Sequence, residues 1–88
     1  MLDKVREALR ITHNKLDIEL QDVIDACKAD LKIAGITKLD DSDALIQQAV
    51  KTYVKAEYEQ DTSKAMRLTQ AYLSLKISLC LCGEYTEV

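Results

Sequence analysis

The sequence predicts an all-α fold, a small bundle of four helices at approximately 2–10, 15–34, 43–58 and 63–82 joined by short loops. Three observations lead there. Apolar residues recur at helical spacing through most of the chain. Trp, Phe and Pro are absent and Tyr occurs four times, so the core must be built from Leu, Ile, Val and Ala, which suits packed helices. The two glycines, Gly35 and Gly83, each fall just past a periodic segment, where helices stop. With 88 residues the chain reads as a single helical domain, 1–88, near the size at which one core is marginal. Small cores of this kind often gain stability by association with copies or partners.

Leu2, Val5 and Leu9 outline the first helix, which I11-T-H-N-K15 interrupts. Asn14 is the expected N-cap of the second, with Asp17 and Glu19 favourable at the positive end of its dipole. Leu16, Leu20, Val23, Ile24, Cys27, Leu31 and Ala34 form its apolar face, with Asp22, Asp25, Lys28 and Lys32 opposite. Gly35 is placed to close it in a left-handed conformation. After the loop I36-T-K-L-D-D-S42, Ser42 or Asp41 is expected to cap the third helix, whose stripe is Ile46, Ala49, Val50, Tyr53 and Val54. The fourth begins around Asp61 to Ser63 and runs to Cys82.

That last segment contains L73-S-L-K-I-S-L-C-L-C82, apolar at every odd position, which also matches a half-buried strand. No other segment offers a partner for a strand's backbone groups, short of pairing between subunits, and the helix is preferred. On a helical wheel Met66, Leu73, Ile77, Cys80 and Leu81 gather on one side, and Leu68, Tyr72, Leu75, Leu79 and Cys82 on the other. A helix apolar on two sides either lies centrally in the bundle or keeps one side for a partner. The second alternative nominates Met66, Leu73, Ile77 and Leu81 as a protein interface.

The formal charge of −3 argues against a phosphate-gripping surface. Residues 1–15 carry four basic and two acidic groups, residues 16–34 two basic and five acidic. Three cysteines without a secretory signal lead to reduced thiols and an intracellular location as the expectation. No apolar run approaches membrane-spanning length.

No catalytic constellation is visible. His13, the sole histidine, has no nucleophile or orienting carboxylate placed beside it by the sequence. Cys27, Cys80, Cys82 and His13 could be counted as a zinc set, but C80-x-C82 is too short for a zinc hook and all three thiols lie on apolar stripes. D40-D-S-D43 resembles the start of a calcium loop yet lacks its glycine and terminal glutamate, so helix-start chemistry is the better reading. Neither catalysis, cofactor nor metal is expected.

L9-R-I-T12, followed by D17-I-E-L20 and the amphipathic second helix, resembles the amino-terminal half of phage head–tail connector proteins, also called adaptor or DNA-packaging connector proteins. Y72-L-S-L-K76 through L81-C-G-E-Y85 resembles the ending of short members from phages and prophages of Gram-positive bacteria. The resemblance implies a non-catalytic helical virion protein of the phage neck, assembled in the bacterial host cytoplasm. It would form or join a homo-oligomeric ring under the portal, contact portal and neck proteins, and let DNA pass. Many members carry a longer C-terminal tail that embraces the portal; five residues follow Gly83 here, and docking of that kind is not expected. The alternative function is a small non-catalytic regulatory module that binds a partner protein through an apolar helix face. Neither reading involves a small-molecule substrate, sequence-specific nucleic acid or membrane.

Overall fold

The molecule is described here by a computed structural model covering residues 1–12 and 15–86. Four helices follow in order: α1 (Leu2–Ala8), α2 (Asp17–Ile33), α3 (Ala44–Tyr58) and α4 (Thr62–Leu81). The period-two stretch of α4 is therefore helical, and no strand occurs among the described residues beyond an isolated antiparallel bridge between Ile36 and Thr86.

The core is a single cluster. Val5 of α1, Leu20, Ile24, Cys27 and Leu31 of α2, and Ile46, Ala49, Val50 and Val54 of α3 are fully buried. α3 occupies the centre: α1, α2 and α4 all pack on it, and α4 does so most extensively. Of the two placements open to the fourth helix, the central one is thus ruled out. α4 is an outer helix that buries only Tyr72 and Leu79, with Leu68, Leu75, Cys80 and Cys82 half-buried.

Two helix ends share one device. At α2, Ile36 N–H bonds to Leu31 O (3.0 Å) and Gly35 N–H to Lys32 O (2.9 Å), with Gly35 at φ 100°. This double closure satisfies two orphan carbonyls and folds Ile36 back onto Leu31, both fully buried. α1 repeats it with Ile11 N–H to Arg6 O (2.9 Å) and Arg10 N–H to Glu7 O (3.1 Å). There the left-handed position is filled by Arg10 at φ 58°, a conformation that crowds its Cβ.

The cap expected from Asn14 falls outside the described residues; the residue preceding α2 is Leu16, which makes no side-chain cap bond. At α3 the expected cap was one or two residues early. Asp43, extended at φ −75° and ψ 127°, accepts from Leu45 N–H (2.9 Å) and Ile46 N–H (3.3 Å). Ser42 instead donates its N–H (2.9 Å) and hydroxyl (2.7 Å) to Asp40, and Asp41 pairs with Lys28 at 2.6 Å. Only Asp43 stands in line with the free amides of the first turn. α4 starts within the expected Asp61–Ser63 window, and Asp61 caps it by accepting from Lys64 N–H at 3.2 Å.

Beyond α4 the chain turns back over the α2–α3 loop. Tyr85 O accepts from Thr37 N–H (2.8 Å) and Lys38 N–H (3.2 Å). The Tyr85 hydroxyl donates to the Asp43 carboxylate, 3.0 and 2.9 Å from its two oxygens. One carboxylate thus starts α3 and anchors the C-terminal segment.

Candidate interaction surface

The surface builds up from the spacing of residues along α4. Met66, Leu73, Ile77 and Leu81 lie within one broad side of a helix advancing about 100° per residue, and that side faces away from the core. Their exposures are 59, 42, 58 and 83%. Cys80 departs from the predicted grouping: it turns inward and its thiol donates to Ala34 O at 3.2 Å. All four nominated residues are therefore solvent-facing within the monomer.

α4 packs chiefly on α3, and a polar tie to α2 helps to fix which side stays outward. The Tyr72 hydroxyl donates to Asp30 Oδ2 at 2.6 Å, and Lys76 Nζ donates to the same oxygen at 3.1 Å. The Cys27 thiol donates weakly to the Tyr72 hydroxyl at 3.8 Å. Tyr72 also meets the Tyr53 ring edge-on, centroids 5.0 Å apart, and Lys76 Nζ lies 5.5 Å from the Tyr72 centroid.

These contacts move the ionisations in opposite directions. The Tyr72 hydrogen bond, with Lys76 adding to it, holds the Asp30 carboxyl below its ordinary range. Burial, reinforced by the Asp30 carboxylate, pushes the Tyr72 hydroxyl up. Burial pushes the Cys27 thiol up to about 11. A protonated phenol and an ionised carboxylate are the favoured pair, and their hydrogen bond forms a structural lock between α2 and α4.

The tie also places Ile33, which is 87% exposed. Asp30 meets Tyr72 and Lys76 while Ala34 meets Cys80, so α2 and α4 run parallel along this seam. Ile33 precedes Ala34 by one residue as Ile77 follows Lys76 by one. In parallel helices both turn to the same side of the seam, and Ile33 widens the apolar face. Sequence reasoning missed Ile33 because α2 already presented a complete amphipathic stripe elsewhere. It missed the lock because Asp30, Tyr72 and Lys76 are joined only by tertiary contact.

The carboxylates of D40-D-S-D43 are engaged in the turn, the Lys28 pair and the α3 cap, as helix-start chemistry requires. No group of three or more His, Cys, Asp or Glu among the described residues could hold a metal ion. His13 lies outside those residues. None of the described helices is long and apolar enough to cross a membrane.

A four-helix fold with an outer helix that is apolar on its solvent side defines a small helical protein with an exposed apolar face. A family profile described as phage connector protein matches residues 1–86, and the chain belongs to that family. Its role is accordingly that of a phage connector. Comparison with curated proteins and with solved structures gives no match.

Proposed function

We propose that this connector is a structural head–tail adaptor of a tailed phage or prophage, forming or joining a ring under the portal that links capsid to tail and lets DNA pass. It works in the virion neck after assembly in the host cytoplasm, without catalysis or cofactor, as one helical unit. Met66, Leu73, Ile77 and Leu81 are its contact residues toward a second copy or toward portal and neck proteins. The observation that carries this is the exposed apolar side of α4. At about 25 cal/mol per Å² of apolar surface, covering these side chains is worth several kcal/mol, which an adaptor recovers on assembly.

The test is the double variant Leu73→Asp with Ile77→Asp. Helical circular dichroism should persist, because neither side chain is buried in the monomer. Self-association in light scattering, or co-purification with the portal protein, should be lost. Retention of both associations by a folded double variant would overturn the reading.

A further inference from the structure

The side of α4 that carries the apolar face also opens a notch. Asp30, Tyr53, Glu57, Tyr72, Leu73 and Lys76 line a cavity of about 250 Å³ between α2, α3 and α4. That is below the roughly 300–1,000 Å³ of small-molecule sites and suits a single long side chain. Its chemistry selects a cation. Two tyrosine rings form a wall, and Lys76 already shows that an ammonium settles beside it. Asp30 is matched by Lys76, whereas Glu57 makes no ion pair among the described residues, so the notch retains an uncompensated negative charge.

The opposite flank of the molecule has the opposite character. Leu68 and Ile77 are nine residues apart and so about 180° apart around α4. Around Leu68 two adjoining depressions are lined by Arg10 and Lys55 on one side and by Lys64 and Arg67 on the other, with Glu59 shared between them. All four cations are exposed, against that one carboxylate. A molecule with an acidic, aromatic notch on one flank and a basic ridge on the other is complementary to a copy of itself in a head-to-tail arrangement. Such a contact uses two different patches and continues from subunit to subunit.

We infer that copies of this chain dock head to tail, a Lys or Arg from the Arg10–Lys55–Lys64–Arg67 flank of one copy entering the Asp30–Glu57 notch of the next beside Leu73. The inference rests on the connector reading of the α4 face and adds which surface of the second copy covers it. The charge pairing sets register and direction; the apolar side chains supply the buried area.

The experiment is a charge exchange followed by sedimentation velocity over a concentration series. Glu57→Lys alone, and Lys64→Glu with Arg67→Glu together, should each weaken self-association at least about tenfold, because like charges then face each other. An equimolar mixture of the two variants should recover most of the loss, since each notch then meets a flank of opposite sign. Raising salt should weaken the wild-type association. A wild type that stays monomeric, a Glu57→Lys chain that associates normally, or a mixture that fails to recover would each overturn the inference. So would binding of duplex DNA that Lys64→Glu with Arg67→Glu abolishes while self-association is untouched, which would assign the basic flank to phosphate. Monomeric wild type that still binds the portal through Leu73 and Ile77 would remove this inference and leave the adaptor function standing.

Discussion

The lock between α2 and α4 yields the most detailed expectation. Tyr72→Phe keeps the ring, its edge contact with Tyr53 and nearly all its volume, and removes only the hydroxyl that donates to Asp30 at 2.6 Å. A hydrogen bond to a charged partner contributes about 1.5–3 kcal/mol. Asp30 is 37% exposed and keeps Lys76 at 3.1 Å, so solvent and the ammonium compensate in part. The expected loss is therefore about 1–1.5 kcal/mol at neutral pH. For a domain of this length that corresponds to a fall of roughly 5–10 °C in Tm.

The pH dependence tests the mechanism. Tyr72 lowers the folded-state pKa of Asp30 below its unfolded value of about 3.9. Between those two values the unfolded chain binds more protons, so stability rises with pH there. The contribution is complete above the unfolded value and disappears as pH falls through the folded one. Urea unfolding followed by circular dichroism should then show a constant gap between wild type and Tyr72→Phe from about pH 7 to pH 5, narrowing below about pH 4. A gap of the same size at about pH 2.5 would show that the hydroxyl stabilises by some route other than the carboxylate, and the lock as described would be wrong.

Other outcomes follow from backbone and burial. Arg10→Gly should raise Tm in a thermal melt at low protein concentration, by about 0.5 kcal/mol of stability. Relief of the left-handed strain exceeds the entropy that Gly adds to the unfolded chain. Gly35→Ala should do the reverse by about 1–2 kcal/mol, and wholly through backbone strain, since nothing lies within 4 Å of an added Cβ. Cys27, buried and with its thiol pKa pushed up to about 11, should resist alkylation at mildly alkaline pH in the native state and react fully in urea. Mass spectrometry of the labelled peptides checks this, and rapid native labelling of Cys27 would contradict it.

What the sequence made legible is what local periodicity encodes. The four helices were readable to within about two residues at each end because every one carries its apolar stripe in consecutive turns. The closing glycine of α2 was readable for the same reason: few residues tolerate φ near 100°. Contacts between residues far apart in the chain left no such trace. Asp30 with Tyr72 and Asp43 with Tyr85 are each 42 residues apart, and a polar residue's partner has no period. Ile36 and Tyr85 entered the core from outside any periodic segment, which is why neither featured among the expected core residues. Of the surface, the four α4 side chains were nominated from the wheel, whereas Ile33 and the acidic notch depend on how two helices lie together.

The two apolar sides of α4 call for one explanation. An outer helix in a bundle needs a single stripe, and α4 already has one in Leu68, Tyr72, Leu75 and Leu79. Its attachment to α2 is made by Tyr72, Lys76 and Asp30, so the opposite stripe does not hold the helix in place. Polar residues at positions 66, 77 and 81 would disturb the monomer's own packing little, less than at the 42% exposed Leu73, and they would keep it more soluble. Leucine, isoleucine and methionine there make sense when the surface is to be covered. Under the proposed assembly, a core this small, built almost without large aromatics, would gain from its neighbours buried area beyond that of its own fold. Under the connector reading, assembly and folding are continuous: the lock that orients Leu73 and Ile77 outward also forms the wall of the notch beside them. Loosening it by Tyr72→Phe should therefore weaken association as well as stability.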